Sequence, residues 1–174
     1  MKNQPLHVVV MGVAGCGKSV VGTRLANRLG LPLIEGDDFH AAASRDKMSR
    51  GIALSDADRA LWLATLAGLL QQRADGVALT CSALKASYRE QLRAAAPGLR
   101  FVFADIAFEE AQRRVTARAG SHFFSPELVR SQFATLESPV GEAGVLVVDA
   151  SAPLDAQREA VLSWLAAPTP ATPV

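Results

Sequence analysis

The run Gly12-Val13-Ala14-Gly15-Cys16-Gly17-Lys18-Ser19 is where residue type and spacing declare a chemistry most plainly. It satisfies the pattern GxxxxGK[ST], in which backbone N–H groups and one ammonium gather around a polyphosphate. Glycines at these positions let the chain turn tightly with its amides aimed inward, and a helix that follows presents unsatisfied N–H groups and a positive dipole end. Lys18 is placed to reach the β- and γ-phosphates of ATP. The Ser19 hydroxyl is placed to ligate a Mg²⁺ that otherwise keeps water and phosphate oxygens. Cys16 serves such a cradle through its amide, not its thiol.

A second group of polar residues, Glu35 to His40 (EGDDFH), follows a short apolar run. Acids at the carboxyl end of a parallel strand face the crevice in which open α/β sheets bind ligands. Asp37 is the candidate for orienting an acceptor hydroxyl and taking its proton, because phosphoryl transfer asks for an aligned nucleophile rather than covalent chemistry. The plainer alternative is that it caps the next helix, and the two roles are compatible. Glu35 is a candidate to hold Mg²⁺ through water, or a solvated acid at a strand end.

These groups need a scaffold, and the sequence alternates short β-branched runs with longer helical patterns, the signature of βαβ units and a parallel sheet covered on both faces. The strands predicted are Leu6 to Met11, Pro32 to Glu35, Val77 to Cys81, Arg100 to Ile106 and Val145 to Asp149. Helices are predicted over Lys18 to Leu29, Asp37 to Ser49, Asp56 to Arg73, Ala86 to Ala95, Phe108 to Arg118, Pro126 to Leu136 and Pro153 to Leu165. Ser55 and Asp58 stand at capping-box spacing before Leu63, Leu66 and Leu70, so the start of the third helix is well marked. The expected class is α/β, a three-layer P-loop fold with five parallel strands. One kinase-sized domain is expected over residues 1–167, and the Pro-rich stretch 168–174 is expected to be a disordered tail.

With 174 residues, about half of them apolar, the chain builds one core. Its 18 basic and 17 acidic residues leave a net charge of +1, so no global field draws it to nucleic acid or to an anionic membrane. The apolar run Leu6 to Val13 is far shorter than the roughly 18 residues of a membrane span. Cys16 and Cys81 have neither CxxC nor zinc-site spacing, which fits a reducing cytoplasm. A nucleotide switch would carry NKxD and DxxG elements, and neither is found. A compact kinase is the reading left.

Beyond the phosphate loop, the sequence resembles the gluconokinase family, small kinases related in fold to shikimate and adenylate kinases. The resemblance runs from about Val8 to Val148. It is carried by GDDFH at Gly36 to His40, Lys47-Met48, Gly51, LSDADRALWL at Leu54 to Leu63, CSALKASYREQLR at Cys81 to Arg93, HFF at His122 to Phe124 and SQFATLESP at Ser131 to Pro139. It implies ATP-dependent phosphorylation of D-gluconate to 6-phosphogluconate, an acceptor region at about 37–93, a mobile lid at about 118–127 and, by analogy, a homodimer. A shikimate kinase would carry a GGG loop after the third strand, where this chain has Cys81-Ser82-Ala83.

A polyhydroxy carboxylate needs cations for its carboxylate and hydrogen-bonding groups for its hydroxyls. His40, Arg59, Lys85 and Arg89 are the candidates, the last two on one helical face at i, i+4 spacing. Trp62 is read as core. Arg114 and Arg118, likewise one turn apart, precede the loop AGSHFFS, and the resemblance assigns lid arginines to this stretch, expected to swing over the transferring phosphate. His122 and Gln132 belong to the family pattern and are expected on the substrate side. Ala41 and Ser44 stand where the family places Pro and Asn, which bears on local rigidity and on one hydroxyl contact.

Overall fold

A computed structural model describes residues 5–121 and 124–167. The strand β1, His7–Met11, is apolar after His7 and buried along its whole length, so it must sit at the centre with both faces covered. It pairs in parallel with β3, Val77–Thr80, on one side and β4, Arg100–Asp105, on the other. The outer strands are β2, Leu33–Glu35, beside β3, and β5, Val145–Asp149, beside β4. The order is β2-β3-β1-β4-β5, five parallel strands as expected. The chain crosses from β1 to β2 at one edge and from β3 back past β1 to β4 on the other side, so a crevice opens at the carboxyl ends of β1 and β3.

Side chains alternate across the sheet. Val8 and Val10 pack with Leu25, Val102 and Val161, under α1 (Lys18–Leu29), α5 (Phe108–Ala117), α6 (Leu128–Thr135) and α7 (Leu154–Ala166). Val9 and Met11 face the other way, with Leu66, Leu79 and Phe101, under α3 (Asp56–Gln71) and α4 (Ala86–Ala95). The predicted capping box is formed: the Asp58 N–H donates to Ser55 Oγ, and the Asp58 carboxylate accepts from the Ser55 N–H.

One predicted helix divides. Instead of running from Asp37 to Ser49, the chain makes a 3-10 turn, Gly36–Phe39, then an extended His40 (φ −65, ψ 136), then α2, Ala42–Ser49. The first carbonyls of the segment are engaged elsewhere. Gly36 O accepts from Trp62 Nε1 at 2.7 Å, and Asp37 O accepts from the Arg45 guanidinium at 3.1 Å and from the His40 N–H at 3.4 Å, an i to i+3 bond that closes the turn as a 3-10 helix.

Candidate functional site

The phosphate loop crosses from β1 to α1 over the carboxyl end of the sheet. Gly15 has φ 86, and a Cβ there would lie 2.8 Å from Ala111 O, so only glycine lets the loop press against α5. Cys16 is buried beneath the loop. Lys18 Nζ folds back onto Gly12 O and Val13 O, 3.1 Å from each, which holds the ammonium over the mouth of the cradle.

Beside it, the Ser19 hydroxyl donates to Glu35 Oε2 at 3.0 Å, and Thr80 Oγ1 donates to the same oxygen at 2.6 Å. The Gly36 N–H in turn donates to Thr80 Oγ1 at 3.2 Å. Three elements, α1, β2 and β3, thus bring a carboxylate and two hydroxyls to one point. This hard-oxygen set fits Mg²⁺. Thr80 was missed in the sequence because an apolar strand, VALT, gives no sign that its last hydroxyl meets β2.

The crevice continues from Lys18 and Ser19 to Asp37, His40, Arg59 and Arg118. The Asp37 side chain is 45 % exposed and that of His40 only 6 %. His40 stacks on Trp62 with ring centroids 4.2 Å apart, its Nε2 lies 3.7 Å from Asp37 Oδ1, and its Nδ1 is buried with no partner. Burial lowers the imidazole pKa from its ordinary value; the nearby Asp37 charge opposes this, and Arg45 and Arg59 reinforce it. The expectation that His40 supplies a cation therefore changes: near neutral pH the ring is uncharged and offers hydrogen bonds. Trp62 is core, as read, and also lines the crevice. Arg59 is buried, anchored by Nη1 to Leu54 O at 2.8 Å.

Other expected site residues lie elsewhere. Lys85 caps α4 and holds both Asp56 carboxylate oxygens, at 2.9 and 3.0 Å. Arg89 is fully buried and committed to Glu142 and to three backbone carbonyls. Neither side chain lines the crevice; one helical face does not imply one destination. Arg114 is held too, by Glu110, Gly15 O and Ala150 O. It faces a second cavity, with Cys16, Val20, Ala150 and Gln157, whereas the exposed Arg118 lines the crevice. Gln132, by contrast, lines the crevice as expected, and its Oε1 accepts from the Ala14 N–H at 2.7 Å, a contact that joins α6 to the phosphate loop. The expectation for His122 lies outside the described residues, as does the expected tail at 168–174.

A family model described as an AAA domain matches residues 8–140. The chain is 47 % identical over 148 residues to the gluconokinase of Gluconobacter oxydans (strain 621H), a match that covers 83 % of each chain. It is 40 % identical over 158 residues to the thermoresistant gluconokinase of Escherichia coli (strain K12), covering 88 % of this chain and 90 % of that one. Among solved structures, a gluconokinase from Sinorhizobium meliloti 1021 superposes with a TM-score of 0.85 at 44 % identity, over 93 % of this chain and 92 % of the other.

Proposed function

The chain belongs to the gluconokinase family, and from that premise we propose that it transfers the γ-phosphoryl group of ATP to a hydroxyl of D-gluconate, giving 6-phosphogluconate and ADP. The observation that carries the reading is the single crevice in which Lys18 and Ser19 of the phosphate loop meet Asp37 and Arg59. The acceptor region is residues 37–93 and the lid 118–127. A homodimer in the cytoplasm completes the proposal.

The acceptor hydroxyl oxygen forms a bond to Pγ as the bond from Pγ to the β,γ-bridging oxygen breaks and ADP departs. The hydroxyl proton passes to the Asp37 carboxylate. That group lies at the strand end, partly exposed and close to neutral His40, where a carboxylate accepts a proton without covalent chemistry. Lys18 and the inward amides of residues 12–19 bind the phosphates, and Arg118 on the lid side meets charge developing on the transferring group. Ser19 and Glu35, supported by Thr80, would hold Mg²⁺, which screens phosphate charge. Arg59 is the cation for the acceptor carboxylate. His40, with an uncharged ring and an unpartnered Nδ1, serves a hydroxyl. The second cavity, beside Arg114 and Gln157, is the place for the nucleoside end of ATP.

ADP release measured with Mg·ATP against gluconate, shikimate, glucose, other aldonates and no acceptor tests this. Gluconate should exceed every other acceptor in kcat/KM by at least about tenfold. Release with another hydroxy acid alone would reassign the acceptor, and release independent of acceptor would refute the kinase reading.

A further inference from the structure

The segment between β3 and α4, Cys81 to Lys85, contains the one non-glycine residue in the left-handed region among those described: Ala83, at φ 45 and fully buried. An L-residue with a Cβ is disfavoured there, and the conformation persists only where the surroundings impose it. The imposing group is Arg89. Its Nη1 donates to Ala83 O at 2.8 Å and Leu84 O at 3.2 Å, and its Nη2 donates to Glu137 O at 3.0 Å. Its Nε lies 3.1 and 3.0 Å from the two Glu142 carboxylate oxygens. Glu142 also receives Arg93 Nη2 at 2.8 Å, and the Glu137 N–H donates to Leu84 O at 2.8 Å, so the segment is bound on both sides to residues 137–142.

The residue before Ala83 shows what this conformation serves. Ser82 lines the crevice, and its carbonyl accepts from the Gly12 N–H of the phosphate loop at 3.3 Å. A buried guanidinium that satisfies both carbonyls after Ser82 fixes how the Ser82 side chain is presented to the acceptor.

We propose that Arg89, with Glu142, is a positioning residue for the acceptor site, holding the segment Cys81 to Lys85 in a strained form that sets the Ser82 face of the crevice. This rests on the reading of the crevice as the acceptor site. Arg89 touches no substrate. Its loss lets Ala83 relax out of the left-handed region and moves the Ser82 face, while the nucleotide side, built on α1, α5 and the turn after β5, stays in place.

The test is steady-state kinetics on Glu142→Gln, Arg89→Met, Ala83→Gly and the double variant Arg89→Met/Ala83→Gly, with melting midpoints beside them. Arg89→Met should raise the KM for gluconate by about tenfold or more, and Glu142→Gln by about threefold, with the KM for ATP within about twofold of the parent. Glycine takes the left-handed conformation at no steric cost, so the double variant should recover a good part of the gluconate KM. If Arg89→Met does not fold, Glu142→Gln and Ala83→Gly carry the comparison. Equal rises in both KM values, an unchanged gluconate KM in folded variants, or recovery of the melting midpoint without the KM would each overturn the proposal. A parent enzyme inactive with gluconate would instead refute the acceptor assignment. The same KM comparison would then be run on whichever acceptor of the panel turns over.

Discussion

At the residue scale, the crevice divides its work between a carboxylate kept partly in water and an imidazole kept out of it. Asp37 keeps 45 % of its side chain exposed and is the proposed proton acceptor. Asp37→Asn keeps the shape and removes the proton acceptor, so kcat should fall by about 10²–10⁴ while the far-UV spectrum is unchanged, read by ADP release and circular dichroism. His40 titrates below the ordinary histidine value because burial disfavours its charged form. The sign follows directly. As pH falls through about 6.5, the unfolded chain takes up this proton before the folded one, so His40 makes stability decline toward acid. An NMR titration of the ring protons should place its midpoint below that of an unstructured histidine peptide.

At the element scale, β2 and the 3-10 turn after it hold both acidic groups, and their geometry depends on Gly36. A Cβ on Gly36 would lie 2.2 Å from Thr80 O, so β2 and β3 approach too closely there for any other residue. Gly36→Ala should cost about 1–3 kcal/mol in a denaturant titration and disturb the Ser19–Glu35–Thr80 cluster with it. The next junction works the other way. Ala41 has φ −59, within proline's range, and His40 before it is extended at ψ 136, as a residue preceding proline must be. Ala41→Pro, the residue the family places there, should therefore stabilise the protein by about 0.4–1 kcal/mol, read by the melting midpoint, with kcat unchanged. The alanine loosens the free chain without altering the charges of the site.

At the scale of the whole molecule, two carboxylates answer to acid, Asp58 through an ion pair between α3 and α2 and Glu110 through pairs within its own helix, α5. The Lys47 ammonium and the Ser55 N–H hold Asp58 at about 2, and the Arg113 and Arg114 guanidinia hold Glu110 at about 2. Both folded values lie below the unfolded ones of 3.8 and 4.5, so their contribution is complete above about pH 4.5 and is lost as pH falls toward 2. The melting midpoint should be flat from pH 8 to about 6.5, decline gently as His40 contributes, and fall steeply below about 4.5. A midpoint unchanged down to pH 3 would contradict this. By itself the sequence determined the phosphate loop, the five parallel strands, the capped start of α3 and the family, because each is written in residues adjacent along the chain or spaced at the period of a strand or helix. The tertiary structure decided which cations line the crevice. Arg89 finds Glu142 at a separation of 53 residues, Ala14 finds Gln132 at 118, and Thr80 meets Glu35 across two strands. Helical spacing places a side chain on a face, but its partner, its burial and thus its charge depend on what folding brings against that face.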